Sequence, residues 1–347
     1  DVSSPEHVEW RDLSSMEKSL VDADNQFGLN IFRKINETEN NKNVFISPLS
    51  ISYALGMTLN GADDETELAM RKTLELNNLN TQTINESYKS LMKLLNGLDP
   101  KVIFTIANSI WYRQDFHVEQ SFIDVNKTYF NAEVNSIDFS APSAPATINE
   151  WVDDNTNGKI QKIIEKIPPD MMMYLINAIY FKGTWTHEFA KNLTRDDQFK
   201  KSDGTTVPCK MMQQNRMMPY FETDNFQAVD LPYGDGDYSM TVILPAEDTD
   251  IDAFISSLAI EDWQNWTQQF SEKDGNLQLP KFTLEYEKKL NDILIDMGMA
   301  PAFDPNLADF TKINKDGNLV ISEVKHKTYV KVDEEGTEAA AVTSVGV

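Results

Sequence analysis

Residues 324–347 constrain the fold more than any other stretch of this 347-residue chain. Val324, His326, Thr328, Val330 and Val332 alternate with Lys325, Lys327, Tyr329 and Lys331. That period of two predicts a long half-buried strand with His326 on its apolar side. Behind it runs VDEEGTEAAAVTSVGV, residues 332–347. The alternation persists there, but the side chains shrink. Thr337, Ala339, Ala341, Thr343 and Val345 fall on one face, all small and uncharged. Glu338, Ala340, Val342 and Ser344 fall on the other, which holds the only charge. Gly336 opens the run and permits an unusual backbone angle. A core strand carries bulkier groups, and an exposed loop is more polar. The segment therefore fits two states: exposed, or slipped into a sheet with one face buried. A disordered tail is the competing reading.

Composition excludes several classes. Hydrophobic residues make up 41% and charged residues 25%, near the globular average. No run of about 18 apolar residues occurs, so no membrane insertion is expected. Asp plus Glu is 55 against 31 for Lys plus Arg, a formal charge of −24. A surface that acidic repels phosphate backbones, so no nucleic-acid partner is expected. A lone cysteine, Cys209, cannot close an internal disulfide, and the fold must hold by its core. Sequons at Asn36, Asn85, Asn126, Asn192 and Asn265 are no more than an Asn-rich chain yields by chance. The first residue is Asp1, which implies a removed leader or a trimmed chain.

Other segments read as helix or strand. Met16, Leu20, Ala23, Phe27, Ile31 and Ile35 recur at helical spacing. Residues 48–60, behind Pro48, are apolar on most sides and predict a buried helix. Residues 147–165 suggest a helix that Gly158 interrupts. In 238–244, Tyr238, Met240, Val242 and Leu244 share one strand face. Helix and strand mix without βαβ alternation, and neither 139–147 nor 168–170 separates halves of different composition. The class is α+β without a two-domain cut.

Catalytic and metal motifs fail one by one. His7, His117, His187 and His326 are scattered. His187-Glu188 starts a zinc-helix pattern, but Lys191 stands where the second ligand belongs. Asn314, Asp316, Gly317 and Glu323 mimic a calcium loop, but its first position is Lys312; a turn at Asp316-Gly317 is the plain reading. No Gly-x-Ser-x-Gly elbow occurs, and Cys209 has no neighbouring His. Gly234-Asp235-Gly236 runs into acidic residues, unlike a phosphate loop. The Met-rich spots read as core filler. No enzyme active site and no cofactor are expected.

Read together, the segments resemble the serpin family over nearly the whole chain. Residues 43–62 (NVFISPLSISYALGMTLNGA) are similar to its buried helix B, and 107–111 (ANSIW) to the strand after helix D. Residues 148–160 (INEWVDDNTNGKI) resemble helix F, and 177–189 (NAIYFKGTWTHEF) the segment entering the breach of sheet A. Residues 231–245, 279–303 and 322–341 (SEVKHKTYVKVDEEGTEAAA) follow in family order, the last resembling the strand and hinge before the reactive loop.

The resemblance implies one composite α+β domain over 1–347, with three β-sheets and about eight or nine helices. It implies a suicide-substrate inhibitor of serine proteases, with cysteine proteases a further target class. The cleaved reactive loop would insert into sheet A as an extra central strand. Glu334, Glu335, Gly336, Thr337, Glu338, Ala339, Ala340 and Ala341 match the inhibitory hinge at every position. Val342, Thr343, Ser344, Val345, Gly346 and Val347 would complete the inserted strand. Ser47, Ser50, Asn177 and His326 match the shutter beneath the sheet. Trp185, Lys281 and Glu334 match the breach, where Lys281–Glu334 is expected as a near-surface ion pair. By family spacing the scissile bond lies beyond Val347. The chain is therefore expected to be the large fragment of a loop-cleaved serpin, its C-terminal peptide bound as a separate chain. The alternative is a non-inhibitory carrier or chaperone-like serpin. Export from the cell is expected on family grounds. Heparin is not expected as a partner, because residues 75–96 hold only Lys89 and Lys93 as cations.

Overall fold

The computed structural model describes residue 8, residues 10–39 and residues 42–347. His7 and Asp1 lie outside the described residues. Nine α-helices follow in chain order among the described residues: α1 (Ser15–Thr38), α2 (Pro48–Leu59), α3 (Asp64–Thr73), α4 (Thr81–Gly97), α5 (Gln120–Phe130), α6 (Ala144–Asn155), α7 (Ile251–Ser257), α8 (Ile260–Thr267) and α9 (Asn291–Leu294). The strands are β1 (Val102–Arg113), β2 (Glu133–Ile137), β3 (Met173–Thr184), β4 (Arg195–Lys200), β5 (Thr206–Glu222), β6 (Phe226–Tyr233), β7 (Tyr238–Pro245), β8 (Ser271–Pro280), β9 (Phe282–Lys289), β10 (Glu323–Val332) and β11 (Gly336–Gly346). No described helix is long and apolar enough to cross a membrane.

Local chemistry explains where the helices start and stop. Ser14 and Glu17 form a reciprocal capping box at the head of α1. Leu20, Ala23, Phe27, Ile31 and Ile35 then face the core, as their spacing predicts. Met16, in the first turn, stays 53% exposed. Ser47 caps α2, Pro48 opens its first turn, and all residues from Ser50 to Leu59 are buried. The helix expected over 147–165 is shorter. It ends at Asn155, because Asn157 (φ 50°) and Gly158 (φ 73°) both turn left-handed, and no helix resumes after them.

Among the described residues, two hydrogen-bonded sheets carry these helices. The larger runs in the order β2-β1-β3-β11-β10-β9, parallel only between β1 and β2. The second runs β4-β5-β6-β7, with β8 also pairing β5. Its seventeen-residue β5 pairs β4 along residues 206–211, β8 along 211–220 and β6 along 220–222, so the second and third expected layers are joined through one strand. Phe282 of β9 follows Pro280 of β8 with only Lys281 between, which places Lys281 where the sheets meet.

Three cores result. One lies between the inner face of the large sheet and helices α1, α2, α4 and α5. A second lies on the outer face, under α6 and the segment that follows it, with Ile148, Trp151, Ile160 and Ile163 against Tyr174, Ala178, Ala340 and Val342. The third joins the top of the large sheet to the second sheet through Trp185, Met212, Tyr233 and Val332.

Candidate functional site

The segment of small residues forms β11, the strand seated between β3 and β10. It runs antiparallel to both neighbours. Gly336 pairs with Thr184 at one end, and Gly346 with Tyr174 and Glu323 at the other. Both faces are covered, not one. Val345 joins the inner core, while Ala340 and Val342 join the core under α6. The second face is buried by residues 160–171, far from β11 in sequence.

Gly336 is required for a reason other than backbone angle: its φ is not positive. A Cβ there would lie 2.0 Å from the carbonyl oxygen of Gly183 on β3. The two backbones approach at glycines on both sides, which lets the strand sit down at its first residue. Thr337 follows, 6% exposed, and its hydroxyl accepts a 2.6 Å hydrogen bond from Tyr233.

Below the hinge lies a polar gate. The backbone N–H of Ser47 donates to His326 Nε2 at 3.0 Å. Nε2 is therefore the unprotonated nitrogen, and Nδ1 carries the hydrogen. Nδ1 lies 2.8 Å from Thr343 Oγ1, which lies 2.9 Å from Ser50 Oγ. Thr343 thus accepts from the imidazole, and its hydroxyl also bonds that of Ser50. All three side chains are fully buried, and burial pushes His326 down to about 3, so the ring is neutral. Of the expected shutter residues, the structure joins Ser47, Ser50 and His326. Asn177 stands beside Thr343 in register, but its amide donates to Asn108 Oδ1 at 2.9 Å instead. Thr343 is a member that sequence reasoning assigned no gate role. Thr343 was visible as a polar residue on the small face, but its partner depends on register.

The breach residues also converge. Trp185 stacks on Tyr233 with ring centroids 4.4 Å apart and donates through Nε1 to the carbonyl of Asp333 at 2.9 Å. Lys281 Nζ lies 2.5 Å from Glu334 Oε2, and Thr194 donates to the other oxygen at 2.8 Å. The pair is not a surface one at its acidic end, since Glu334 is 5% exposed. Burial opposes ionisation of Glu334, yet Lys281 and Thr194 hold its carboxyl below the ordinary carboxylate range. Glu335 pairs with Lys191 in solvent. At the far end, Val347 exchanges backbone hydrogen bonds with Met173.

Among the described residues no group of three or more His, Cys, Asp or Glu side chains could hold a metal. The Cys209 thiol is pushed up by burial and by Asp197 and Asp196, away from a reactive thiolate. Lys312 pairs with Asp63 and Glu67, and Gly317 makes the turn that its neighbours predict. The sequons at Asn85 and Asn126 are closed by burial, 3% and 0% exposed.

The comparisons place this geometry. Residues 22–347 match the family model described as Serpin (serine protease inhibitor). The leukocyte elastase inhibitor of Sus scrofa is 35% identical over 341 residues, 94% of this chain and 89% of that protein. An uncharacterized serpin-like protein of Thermococcus kodakarensis is 34% identical, covering 95% of this chain and 76% of its own length. Among solved structures, the thermophilic serpin tengpin in its latent state superposes with a TM-score of 0.88 at 35% identity, covering 98% of this chain and 91% of that one. Reactive-loop-cleaved human thyroxine-binding globulin gives 0.90 at 27% identity, with 96% and 99% covered. The relatives and structural neighbours thus include a named elastase inhibitor and a named thyroxine-binding globulin. A fold of this order, a strand of small residues seated in the large sheet and a family match from residue 22 onward together make this chain a member of the serpin family.

Proposed function

We propose that this serpin inhibits serine proteases as a suicide substrate. The protease serine oxygen attacks the scissile carbonyl, the peptide C–N bond breaks, and an ester joins loop to enzyme. The new amino terminus departs with its proton. The freed loop then enters between β3 and β10 as β11, carrying the acylated enzyme to the far end of the sheet. Two new ladders of backbone hydrogen bonds and burial of small side chains on both faces drive that movement.

One observation carries the reading: from Gly336 to Val347 no side chain obstructs entry. Every residue of β11 is small apart from Glu338, and that residue finds partners. A carrier that never inserts its loop has no need of a strand so free of bulk. The target protease and, with it, a C-terminal peptide that stays bound as a separate chain belong to this proposal, as does export from the cell.

The test mixes loop-intact full-length protein with trypsin-, chymotrypsin-, elastase- and subtilisin-like proteases on a denaturing gel. A band at the summed mass that survives SDS supports covalent trapping and names the target class. Clean cleavage with fully active protease in every lane favours the carrier reading.

A further inference from the structure

Glu338 is the one charged side chain on β11, and it does not face solvent alone. Lys159 Nζ lies 2.9 Å from Glu338 Oε2, and Tyr180 donates to Oε1 at 2.6 Å. Asn157 in turn donates to the Tyr180 hydroxyl at 3.1 Å. The same Lys159 ammonium sits 5.7 Å from the centre of the Tyr329 ring. Tyr180 is on β3 and Tyr329 on β10, and both pair with Ala340 in register. Lys159 therefore reaches across the seated strand and touches groups on β10 and β11. Burial opposes ionisation of Glu338, but Tyr180 and Lys159 hold its carboxyl below the ordinary range.

The support behind Lys159 is stiff. Asn157 and Gly158 are both left-handed, which fixes the exit from α6. Thr156 Oγ1 accepts from the backbone of Ile160, and Asn149 Oδ1 accepts from Ile163 and Ile164. A rigid loop thus presents one cation above the second side chain of β11. Asn157, Lys159, Tyr180 and Tyr329 belong to parts of the molecule present before insertion. Only Glu338 arrives with β11.

We infer that Lys159 is a positioning residue for insertion, gripping Glu338 as the second side chain of β11 enters and biasing the loop toward completing the strand instead of backing out. The inference rests on the proposed insertion reading. Each forward step competes with hydrolysis of the ester, so a grip early in the strand shifts the partition toward trapping. An approach to the protease that precedes insertion should not feel it.

The experiment compares wild type, Lys159→Met, Glu338→Gln, the double variant and Lys159→Arg, all as full-length loop-intact protein. Lys159→Met keeps an unbranched apolar stem without the charge, and equal thermal midpoints before cleavage show that each variant folds. The stoichiometry of inhibition should rise about threefold to tenfold in either single variant, with the association rate unchanged. The double variant should be no worse than the singles, and Lys159→Arg should stay near wild type. Unchanged stoichiometry in both singles, or a double equal to their product, overturns the inference. A second readout separates it from the inhibitory reading: a promiscuous protease nicks the loop, and the gain in thermal midpoint is recorded. If no protease is trapped but nicking still raises the midpoint, and less so in the single variants, the inhibitory reading falls and the grip stands. An equal gain in all five proteins overturns the grip.

Discussion

β10 and β11 lie side by side, paired over ten residues, yet they are built for different tasks. β10 buries Val324, His326, Thr328, Val330 and Val332, and ties its outer face down with lysines: Lys325 to Glu287 at 2.7 Å and Lys331 to Asp333 at 2.9 Å. Thr328 adds a 2.7 Å hydrogen bond to the carbonyl of Phe45. β11 has no such bulk. Its specific contacts are few: Thr337 under Tyr233, Glu338 under Lys159, and Thr343 in the gate. Bulk and charge make a strand stable where it is, but they must lose water and find rotamers before they seat. Small residues give up some burial energy and face almost no barrier of that kind. On the proposed insertion reading, the neighbouring strands separate two properties, stability in place and speed of arrival.

Giving β11 the character of β10 breaks the comparison most directly. Thr337→Arg would bury an unpaired guanidinium beneath Tyr233, costing several kcal/mol, on the order of 3–5. The variant should be cleaved as a substrate, and titration against a trapped protease should show inhibition almost abolished. Complex formation at the wild-type level would sink the account of the hinge. Gly336→Ala forces a methyl into the Gly183 carbonyl and should lower the stability of the loop-cleaved form by about 2–4 kcal/mol, read from its denaturant midpoint. An unaltered midpoint would mean that β3 yields at no cost.

The gate sharpens the comparison from the side of β10. Burial holds His326 down to about 3, against an ordinary value of 6.5. A histidine depressed in the folded state contributes stability that is present above its unfolded pKa. That contribution is lost as pH falls from 6.5 toward 3, by roughly 1–2 kcal/mol at pH 5. His326→Gln should flatten the pH dependence of the cleaved form in that window; a profile parallel to wild type would show that other groups dominate. A smaller effect is expected at the junction of the sheets. Lys281→Ala strands Glu334 with only Thr194 as partner and should cost about 1–2 kcal/mol, more than an exposed pair. It should also shrink as pH falls below the carboxylate range, where Glu334 takes up a proton. Comparing thermal midpoints at pH 7 and pH 4 checks both points.

The two strands also show what a sequence does and does not carry. The alternation of β10 was legible residue by residue, because one face is bulky and the other charged. The alternation of β11 was legible too, but not the burial of both its faces. That depends on residues 160–171 folding back over the sheet, which no local pattern announces. Gly336 was singled out for the wrong reason: a close approach across strands leaves no mark in its own neighbours. Glu334 was expected near the surface, yet the Thr194 segment and Lys281 close over it. Asn177 was grouped with His326 through family resemblance, and the register does set it near the gate, but Asn108 on the next strand takes its amide. Contacts within an element were readable. Contacts set by register between distant strands were not, and most of the site is of that second kind.

The gate has a spectroscopic consequence. With β11 seated, the Nδ1 hydrogen of His326 is sealed from water and lies against the Thr343 hydroxyl. Its exchange with deuterated solvent requires that strand to leave. A single downfield imidazole resonance, read by proton NMR without any label, would therefore count the fraction of molecules whose sheet is filled. The same line, watched over hours, would clock how often a filled sheet reopens.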